Sequence, residues 1–245
     1  MTDSPSSPSE AFSILLELQQ HDTTIDQLRH RSRTLAERAE LEEVHSRLRE
    51  LRRRFDEVRA RHSVVSESLK ELAGQVDAAK LRKADIERRL YGGSVTSARD
   101  LQAMDGEVHH LVQHVDELEE RQLELMEQLD PLDAEIDEID DELDVLDKSA
   151  SELRERIEDA EVTIEAEITV ESSSRENAAA RLPPDLLTHY ETIRARLGGV
   201  GAARLVGNTC GGCHLALPAV EVDRIRKAPA DSLITCDQCG RILVR

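Results

Sequence analysis

Four cysteines near the carboxyl end are the residues whose type and spacing point most clearly to chemistry. They form two Cys-x-x-Cys pairs separated by 22 residues: Cys210 with Cys213, and Cys236 with Cys239. A Cys-x-x-Cys turn brings two thiolates within reach of one ion, and two such turns at this separation are typical of a zinc ribbon. Four thiolates complete a tetrahedral site and leave no position for water. We therefore predict one structural Zn²⁺ and no catalytic metal.

Other interpretations of this region stay open at the level of sequence. Two redox-active thiol pairs would need a thioredoxin-like βαβ context, which the sequence lacks. An iron site could use the same four ligands. His214 directly follows Cys213 and could replace a ligand, and His110 and His114 share one helix face. We interpret these three histidines as surface residues, because four cysteines already complete one site and no third ligand can be assigned to the histidine pair.

Basic residues in the same carboxyl-terminal segment are candidates for contacting nucleic acid or an acidic protein. They are Arg204, Arg224, Arg226, Lys227, Arg241 and Arg245. An ordinary charged surface is the third interpretation. Interleaved aromatic residues, on which bases would stack, are missing. The net charge of −19 also disfavours general wrapping of nucleic acid, although it leaves a local contact open.

The remainder of the chain predicts a long coiled coil rather than a large globular core. Charged residues make up 34% of the sequence and aromatic residues 2%, with no Trp. Apolar residues recur at steps of three and four from Leu41 to Leu90, and again from Leu101 to Ile164. The link between these arms is Tyr91–Thr96 and contains two glycines, so the arms should be antiparallel neighbours.

Charge patterning supports an antiparallel pairing of the two arms. Residues 10–90 have a net charge of +1, whereas residues 91–181 have a net charge of −21. A pivot near residue 95 places the arginines of residues 47–61 opposite the acidic residues of 130–142. It also places Arg29, Arg31 and Arg33 opposite Glu158, Asp159 and Glu161. A parallel intermolecular dimer is the alternative, and we favour a monomer.

These patterns predict a mainly α fold: a long antiparallel coiled-coil hairpin followed by a small zinc ribbon. Residues 1–9 are expected to be a disordered tail, and residues 10–181 the hairpin, with its turn near 91–97. The register should slip near Ala36–Glu40, Pro131 should kink the second arm, and that arm should fade at Glu171–Ser174. Residues 182–245 should contain a short helix at Asp185–Leu197, a strand at Ala202–Val206 and the ribbon.

The sequence also disfavours several classes of protein. No stretch reaches the roughly 18 consecutive apolar residues of a membrane span, and the first residues lack the basic and apolar regions of a secretory signal. A cytoplasmic location without a membrane contact is the expectation, in keeping with cysteines that bind metal in a reducing compartment. The chain has no P-loop, nucleophile elbow or dinucleotide fingerprint, and we predict no catalytic residues.

Three local motifs resemble the bacterial C4-type zinc ribbon proteins with an amino-terminal coiled-coil hairpin. The first is Tyr91-Gly-Gly-Ser-Val95 followed by Asp100-Leu-Gln-Ala-Met104; the others are Cys210-Gly-Gly-Cys-His214 with Leu217-Pro218, and Cys236-Asp-Gln-Cys-Gly-Arg-Ile-Leu243. The family usually ends the last motif with Tyr, where this chain has Val244. The resemblance implies an adaptor or regulator, since some members are associated with sigma factors, with secretion or motility components, and with RNA.

Four functions follow as hypotheses. The first is a non-enzymatic zinc-binding adaptor that contacts an unidentified protein through its coiled coil and zinc ribbon, with a link to transcription. The second is a nucleic-acid-binding module that uses the basic residues of the ribbon. A metal-dependent enzyme would need an open coordination position, and a mechanical spacer would need no folded tip; the sequence favours neither.

Overall fold

The computed structural model describes residues 8–245, and the chain within that range is mostly helical. Five helices and three strands follow one another along the chain: α1 (Pro8–Arg33), α2 (Ala36–Tyr91), α3 (Ala98–Ala180), α4 (Pro184–Arg196), β1 (Ala202–Val206), β2 (Thr209–Cys210), α5 (Ala219–Lys227) and β3 (Ile242–Val244). None of the helices in the described range combines the length and apolar character that crossing a bilayer requires. The predicted fold, a coiled-coil hairpin with a small zinc ribbon, is confirmed.

The described residues divide into two compact units. One is Glu40–Glu152, and the other combines Leu153–Arg245 with the amino-terminal residues up to Ala39. Helices α2 and α3 contribute to both units. The predicted tail at residues 1–9 overlaps α1 at its last two residues, and residues 1–7 lie outside the described part of the chain.

Unit Glu40–Glu152 is a pair of antiparallel helices that pack through an apolar seam. Leu72, Val76 and Ala79 are buried against Val115 and Leu118, and further along the pair Val58 and Leu51 are buried against Ile139. Ion pairs flank this seam: Arg54 lies 2.7 Å from Glu135, and Arg82 lies 2.6 Å from Glu107. Both pairs lie within one residue of the predicted register, so the sequence-based pairing of these arms is confirmed.

The other unit combines Leu153–Arg245 with the residues up to Ala39. It contains α1, α4, α5, the sheet and the last part of α3. Strand β1 is central, pairing antiparallel with β2 and parallel with β3. A shared apolar core joins helices to sheet: Ile14, Leu15 and Leu18 of α1 pack with Ala178, Leu182, Tyr190, Ile193, Ala202 and Ile242. The ribbon strands are therefore covered on one side by helices from both ends of the chain.

Two local predictions in this unit were wrong: the charge register near α1 and the end of α3. The helix is interrupted at residues 34–35, slightly before the predicted slip near Ala36–Glu40. The charge register on both sides of this interruption differs from the prediction, because Arg31 pairs with Glu167 and Arg38 with Glu161, eight or nine residues beyond the predicted partners. Helix α3 does not fade at Glu171–Ser174 but continues to Ala180.

The continuation of α3 has a clear physical cause. The hydroxyls of Ser173 and Ser174 donate to the carbonyls of Thr169 and Val170 at 3.0 and 3.1 Å, which accommodates both serines within a helix. Ala178, in the next turn, is buried in the shared core. Packing of this last turn thus outweighs the weak helix propensity of the serine run. Helix α3 also passes through Pro131 without ending, as predicted, whereas the kink itself stays a prediction.

Candidate metal centre

The two Cys-x-x-Cys segments adopt the same turn. In the first, the Cys210 carbonyl accepts a hydrogen bond from the His214 amide at 2.8 Å; in the second, the Cys236 carbonyl accepts one from the Gly240 amide at 2.7 Å. His214 and Gly240 have φ angles of 59° and 73°, so both take the left-handed conformation that favours glycine. The matching turns direct two thiols from each segment toward one point.

The four predicted cysteines come together at that point. Their sulfur atoms all lie within 4.8 Å of one another, and the Sγ atoms of Cys210 and Cys239 and of Cys213 and Cys236 are each 4.0 Å apart. A Zn–S distance of about 2.3 Å in a tetrahedral site puts sulfurs about 3.8 Å apart. The spacing and the all-thiolate donor set therefore fit one structural zinc ion, as predicted. When bound, zinc supplies folding free energy to the ribbon.

Protonation of the thiols is linked to metal binding. Burial raises the pKa of the Cys210 thiol, and it raises that of Cys236 to about 12. Burial also acts to raise the pKa of Cys239, but hydrogen bonds from the backbone and side chain of Arg241 and from the neighbouring cysteines outweigh it and lower the value to about 7. Because zinc binds thiolates, loading the site should release protons from the buried thiols.

Strands and a short helix hold the two turns in place. Cys210 ends β2, and its partner across the ladder is Leu205 of β1. The Gly211 amide donates to the Arg204 carbonyl at 2.9 Å, an approach that a Cβ at Gly211 would obstruct. The ribbon's own apolar core surrounds the sulfurs and consists of Ala203, Leu217, Val222, Ile225 and Leu243 together with Cys210 and Cys236. Burial on this scale accounts for the raised thiol pKa values.

A buried polar network, which the sequence analysis missed, ties the ribbon to the helices. The Gln19 side-chain carbonyl accepts hydrogen bonds from the amides of Gly201 and Ala202 at 2.6 and 3.2 Å. Its amide nitrogen donates to the Gly199 carbonyl at 3.1 Å. Gln19 of α1 thereby fixes the chain where it enters β1, and satisfies backbone groups that burial would otherwise leave unpaired.

Asp22 is the charged centre of the same network and is only 2% exposed. It accepts hydrogen bonds from Tyr190 at 2.6 Å and from Arg175 at 2.7 Å, and Arg194 Nε lies 3.2 Å from it without a hydrogen bond. Arg175 also pairs with Glu191. Burial lowers the pKa of Arg175, but hydrogen bonds to the two carboxylates raise it overall. The network links α1, α3 and α4.

A signal for this network was present in the sequence. Asp22 lies between Leu18 and Ile25 at spacings of four and three, the positions at which the seam requires apolar residues. A carboxylate at a seam position predicts a buried cation as its partner. Which cation would pair with Asp22 was not predictable, because Arg175 and Arg194 come from helices more than 150 residues away in the chain.

Most of the predicted basic contact residues are engaged within the protein. Arg224 donates to Glu221 at 2.9 Å, and that bond lowers the pKa of the Glu221 carboxyl. Lys227 lies 2.6 Å from Asp223. The other engaged cations, Arg226, Arg241 and Arg245, donate to backbone carbonyls at 2.7–3.2 Å.

Arg204 is the exception among these candidates. It is exposed, and within residues 8–245 its side chain makes no hydrogen bond or ion pair. The structure therefore does not gather the six cations into one free basic surface. Their role in binding stays a prediction.

The three histidines considered as ligands lie outside the cysteine site. In the described part of the chain, the four cysteines are the one group of residues placed to hold a metal ion. His214 is exposed, and its place in the first turn is conformational rather than coordinating. His110 and His114 are exposed on α3.

Comparison with known proteins identifies the family. Residues 18–198 match the CT398-like coiled coil hairpin domain, and residues 209–243 match the C4-type zinc ribbon domain. The two matched domains are thus a coiled-coil type and a zinc-ribbon type. Among curated proteins, the chain is 28% identical over 231 residues to the uncharacterized protein Rv2229c of Mycobacterium tuberculosis, covering 94% of each chain.

Solved structures show the same fold. A Mycobacterium smegmatis protein has a TM-score of 0.88 at 25% identity, covering 97% of this chain and 98% of that one. CT398 from Chlamydia trachomatis has a TM-score of 0.69 at 20% identity, covering 98% and 99%. With both domains matched in order and the four zinc ligands in place, this chain belongs to the family of CT398-like coiled-coil hairpin proteins that carry a C4-type zinc ribbon.

Proposed function

We propose that this protein is a non-enzymatic adaptor of the cytoplasm that binds a protein partner through its zinc ribbon and its coiled coil. The observation that carries the proposal is the contrast between a closed metal site and the apolar side chains exposed around it. Val206, Leu215 and Val220 are 62%, 52% and 84% exposed in the ribbon. Exposed apolar side chains of this kind supply surface that a protein partner would bury.

The metal site supports a structural role in this adaptor. Its four thiolates use all the positions of a tetrahedral ion, so a substrate or a reactive water would have no place to bind. The zinc would instead keep the ribbon folded and its surface in one shape. By resemblance to the family, a component of the transcription machinery is the first class of partner to test.

Nucleic-acid binding is the weaker alternative. Five of the six candidate cations are already bonded to carboxylates or carbonyls of the protein. A phosphate would have to displace those bonds, and the net charge of −19 opposes its approach.

A pull-down from nuclease-treated lysate of the native organism tests the proposal. The bait proteins are the intact chain, Val220→Glu, and Val162→Glu, a matched control that is 66% exposed on α3. We expect a small set of proteins that the intact chain and Val162→Glu retain and that Val220→Glu does not bind. Equal retention by all three baits would contradict a ribbon contact. Capture of nucleic acid alone when nuclease is omitted, abolished by Arg204→Gln and falling steeply with salt, would support the alternative.

A further inference from the structure

The seam of unit Glu40–Glu152 loosens in its middle. The structure describes all of residues 59–71 and 119–138, and none of them is buried. The residues that border these two stretches are buried: Val58, Leu72, Leu118 and Ile139. Pro131 lies within this stretch and cannot donate a helical hydrogen bond. The helix pair is thus less closely packed here than on either side.

A groove of about 800 Å³ opens along this stretch. Its apolar wall is formed by Ala60, Val64, Val65, Pro131 and Leu132. Val64 lines this groove and is 67% exposed. An apolar groove between two parallel ridges of a helix pair has the shape that accepts a third, amphipathic helix.

Charge at one end of the groove indicates what kind of helix would bind. Glu120, Glu124 and Glu127 recur at steps of four and three, on the face of α3 that leads to Pro131. Glu67 and Glu71 continue the face of Val64 on α2. These five carboxylates are exposed and have no ion pair or hydrogen bond within the described residues. Lys70 and Arg121 are the cations that lie next to them in sequence.

At the other end of the groove, the carboxylate that lines it is paired with arginines. Glu135, which also lines it, is neutralised by Arg54 at 2.7 Å and by Arg61 at 3.4 Å. The hydrogen bond with Arg54 lowers the pKa of the Glu135 carboxyl, as expected for a paired acid. Glu135 is therefore satisfied within the protein, whereas Glu67, Glu71, Glu120, Glu124 and Glu127 leave their charge available to a partner.

We propose that this groove is the docking site for an amphipathic helix of the partner protein, with an apolar face against Val64 and Pro131 and a basic flank against the unpaired glutamates. The proposal rests on the adaptor function proposed above and gives that function a second contact surface. A second copy of this chain fits poorly, because its α3 would bring further negative charge and because Arg54 and Arg61 of α2 are already paired with Glu135.

Fluorescence anisotropy with a labelled synthetic peptide tests the proposal directly. The probe is a helical peptide of about 20 residues, with leucines at steps of three and four and lysines and arginines on its flanks. Val64→Glu should weaken its binding at least about tenfold, because it puts a charge into the apolar wall. The matched control Leu81→Glu, which is 73% exposed on the same helix outside the groove, should bind as the intact chain does.

Charge is tested separately. Replacement of Glu120, Glu124 and Glu127 by Gln should weaken binding and reduce its salt dependence. Crosslinks from a photoreactive group on the peptide should map to residues 60–65 and 127–135. The proposal is overturned if Val64→Glu and Leu81→Glu bind the peptide equally, if crosslinks fall elsewhere, or if Val64→Glu instead abolishes a self-associated form seen by sedimentation. If the peptide fails these tests while Val220→Glu still abolishes partner capture in the pull-down, the groove is rejected and the adaptor function stands.

Discussion

In the unit that contains the ribbon, every element packs on elements distant in sequence, whereas in Glu40–Glu152 two helices meet along one seam. The first unit combines a shared apolar core, the Gln19–Asp22 polar network and the four thiols. The second has apolar layers and exposed ion pairs, interrupted by a groove. Buried polar groups need particular partners, so the first unit specifies one arrangement. A seam of apolar layers tolerates a gap that a partner could fill.

Loss of a zinc ligand should have the largest effect on the difference between the two units. Cys236→Ser should abolish stoichiometric zinc binding and unfold the ribbon, because structural zinc contributes on the order of 10 kcal/mol to such small folds. Glu40–Glu152 should stay helical, since its seam contains no ribbon residue. Zinc content and circular dichroism measure both parts. Collapse of helicity across the chain would contradict the separate stability of the two units.

The substitution Asp22→Ala should have the next largest effect on stability. It leaves Arg175 and Arg194 partly buried without their shared carboxylate and should lower the free energy of unfolding of the ribbon unit by about 3 kcal/mol. Asp137→Ala is the matched control, since Asp137 is exposed on α3. It should change stability by less than about 0.5 kcal/mol. Similar values from urea denaturation for the two variants would refute a structural role for the network.

Pro131→Ala should stabilise the other unit by about 2 kcal/mol, because alanine restores a helical hydrogen bond that proline cannot make. Ala134→Pro, at an exposed position one turn later, should destabilise it by a similar or larger amount. Chemical denaturation monitored on the isolated transition of Glu40–Glu152 gives both values. An unchanged midpoint for Pro131→Ala would mean that the surrounding helix already compensates for the proline.

Alkaline pH should distinguish the units through Tyr190. Burial raises the pKa of this buried phenol, and its hydrogen bond to Asp22 raises it further. Above about pH 10 the unfolded chain loses this proton while the folded chain keeps it. Stability therefore falls as pH rises, by about 1.4 kcal/mol per pH unit for this group. Tyr190→Phe should flatten the dependence measured by urea denaturation from pH 9 to 11, whereas Tyr91→Phe, at a 79% exposed position, should not.

The smallest effect compares the two cysteine turns with each other. His214→Gly should raise the melting temperature of the zinc-loaded ribbon, since a left-handed residue other than glycine costs about 1 kcal/mol. Gly240→Ala should lower it by a similar energy. Calorimetry resolves both shifts. A drop in zinc affinity for His214→Gly would instead reveal a ligand role for the histidine.

The parts of this fold that sequence predicted are those set by local spacing. Cys-x-x-Cys turns and heptads are read over a few residues, and both the zinc ligands and the register from Arg54–Glu135 to Arg82–Glu107 followed from them. The same rules failed at Glu171–Ser174, because the helix is held there by packing of Ala178 against distant elements. The partners of Asp22 were unpredictable for the same reason. Loosening around Pro131 was also missed, since the heptad pattern runs through it unbroken.

Hydrogen exchange of the intact chain, with zinc bound and after chelation, tests most directly whether the ribbon and the helix ends form one cooperative unit held by the metal. We predict that residues 202–244 and residues 11–18 lose protection together on chelation, because they share the core of Ile14, Leu18, Tyr190 and Ile242. Residues 72–79 and 111–118 should keep their protection from exchange. Loss of protection in residues 202–244 alone, with residues 11–18 unchanged, would contradict a single cooperative unit.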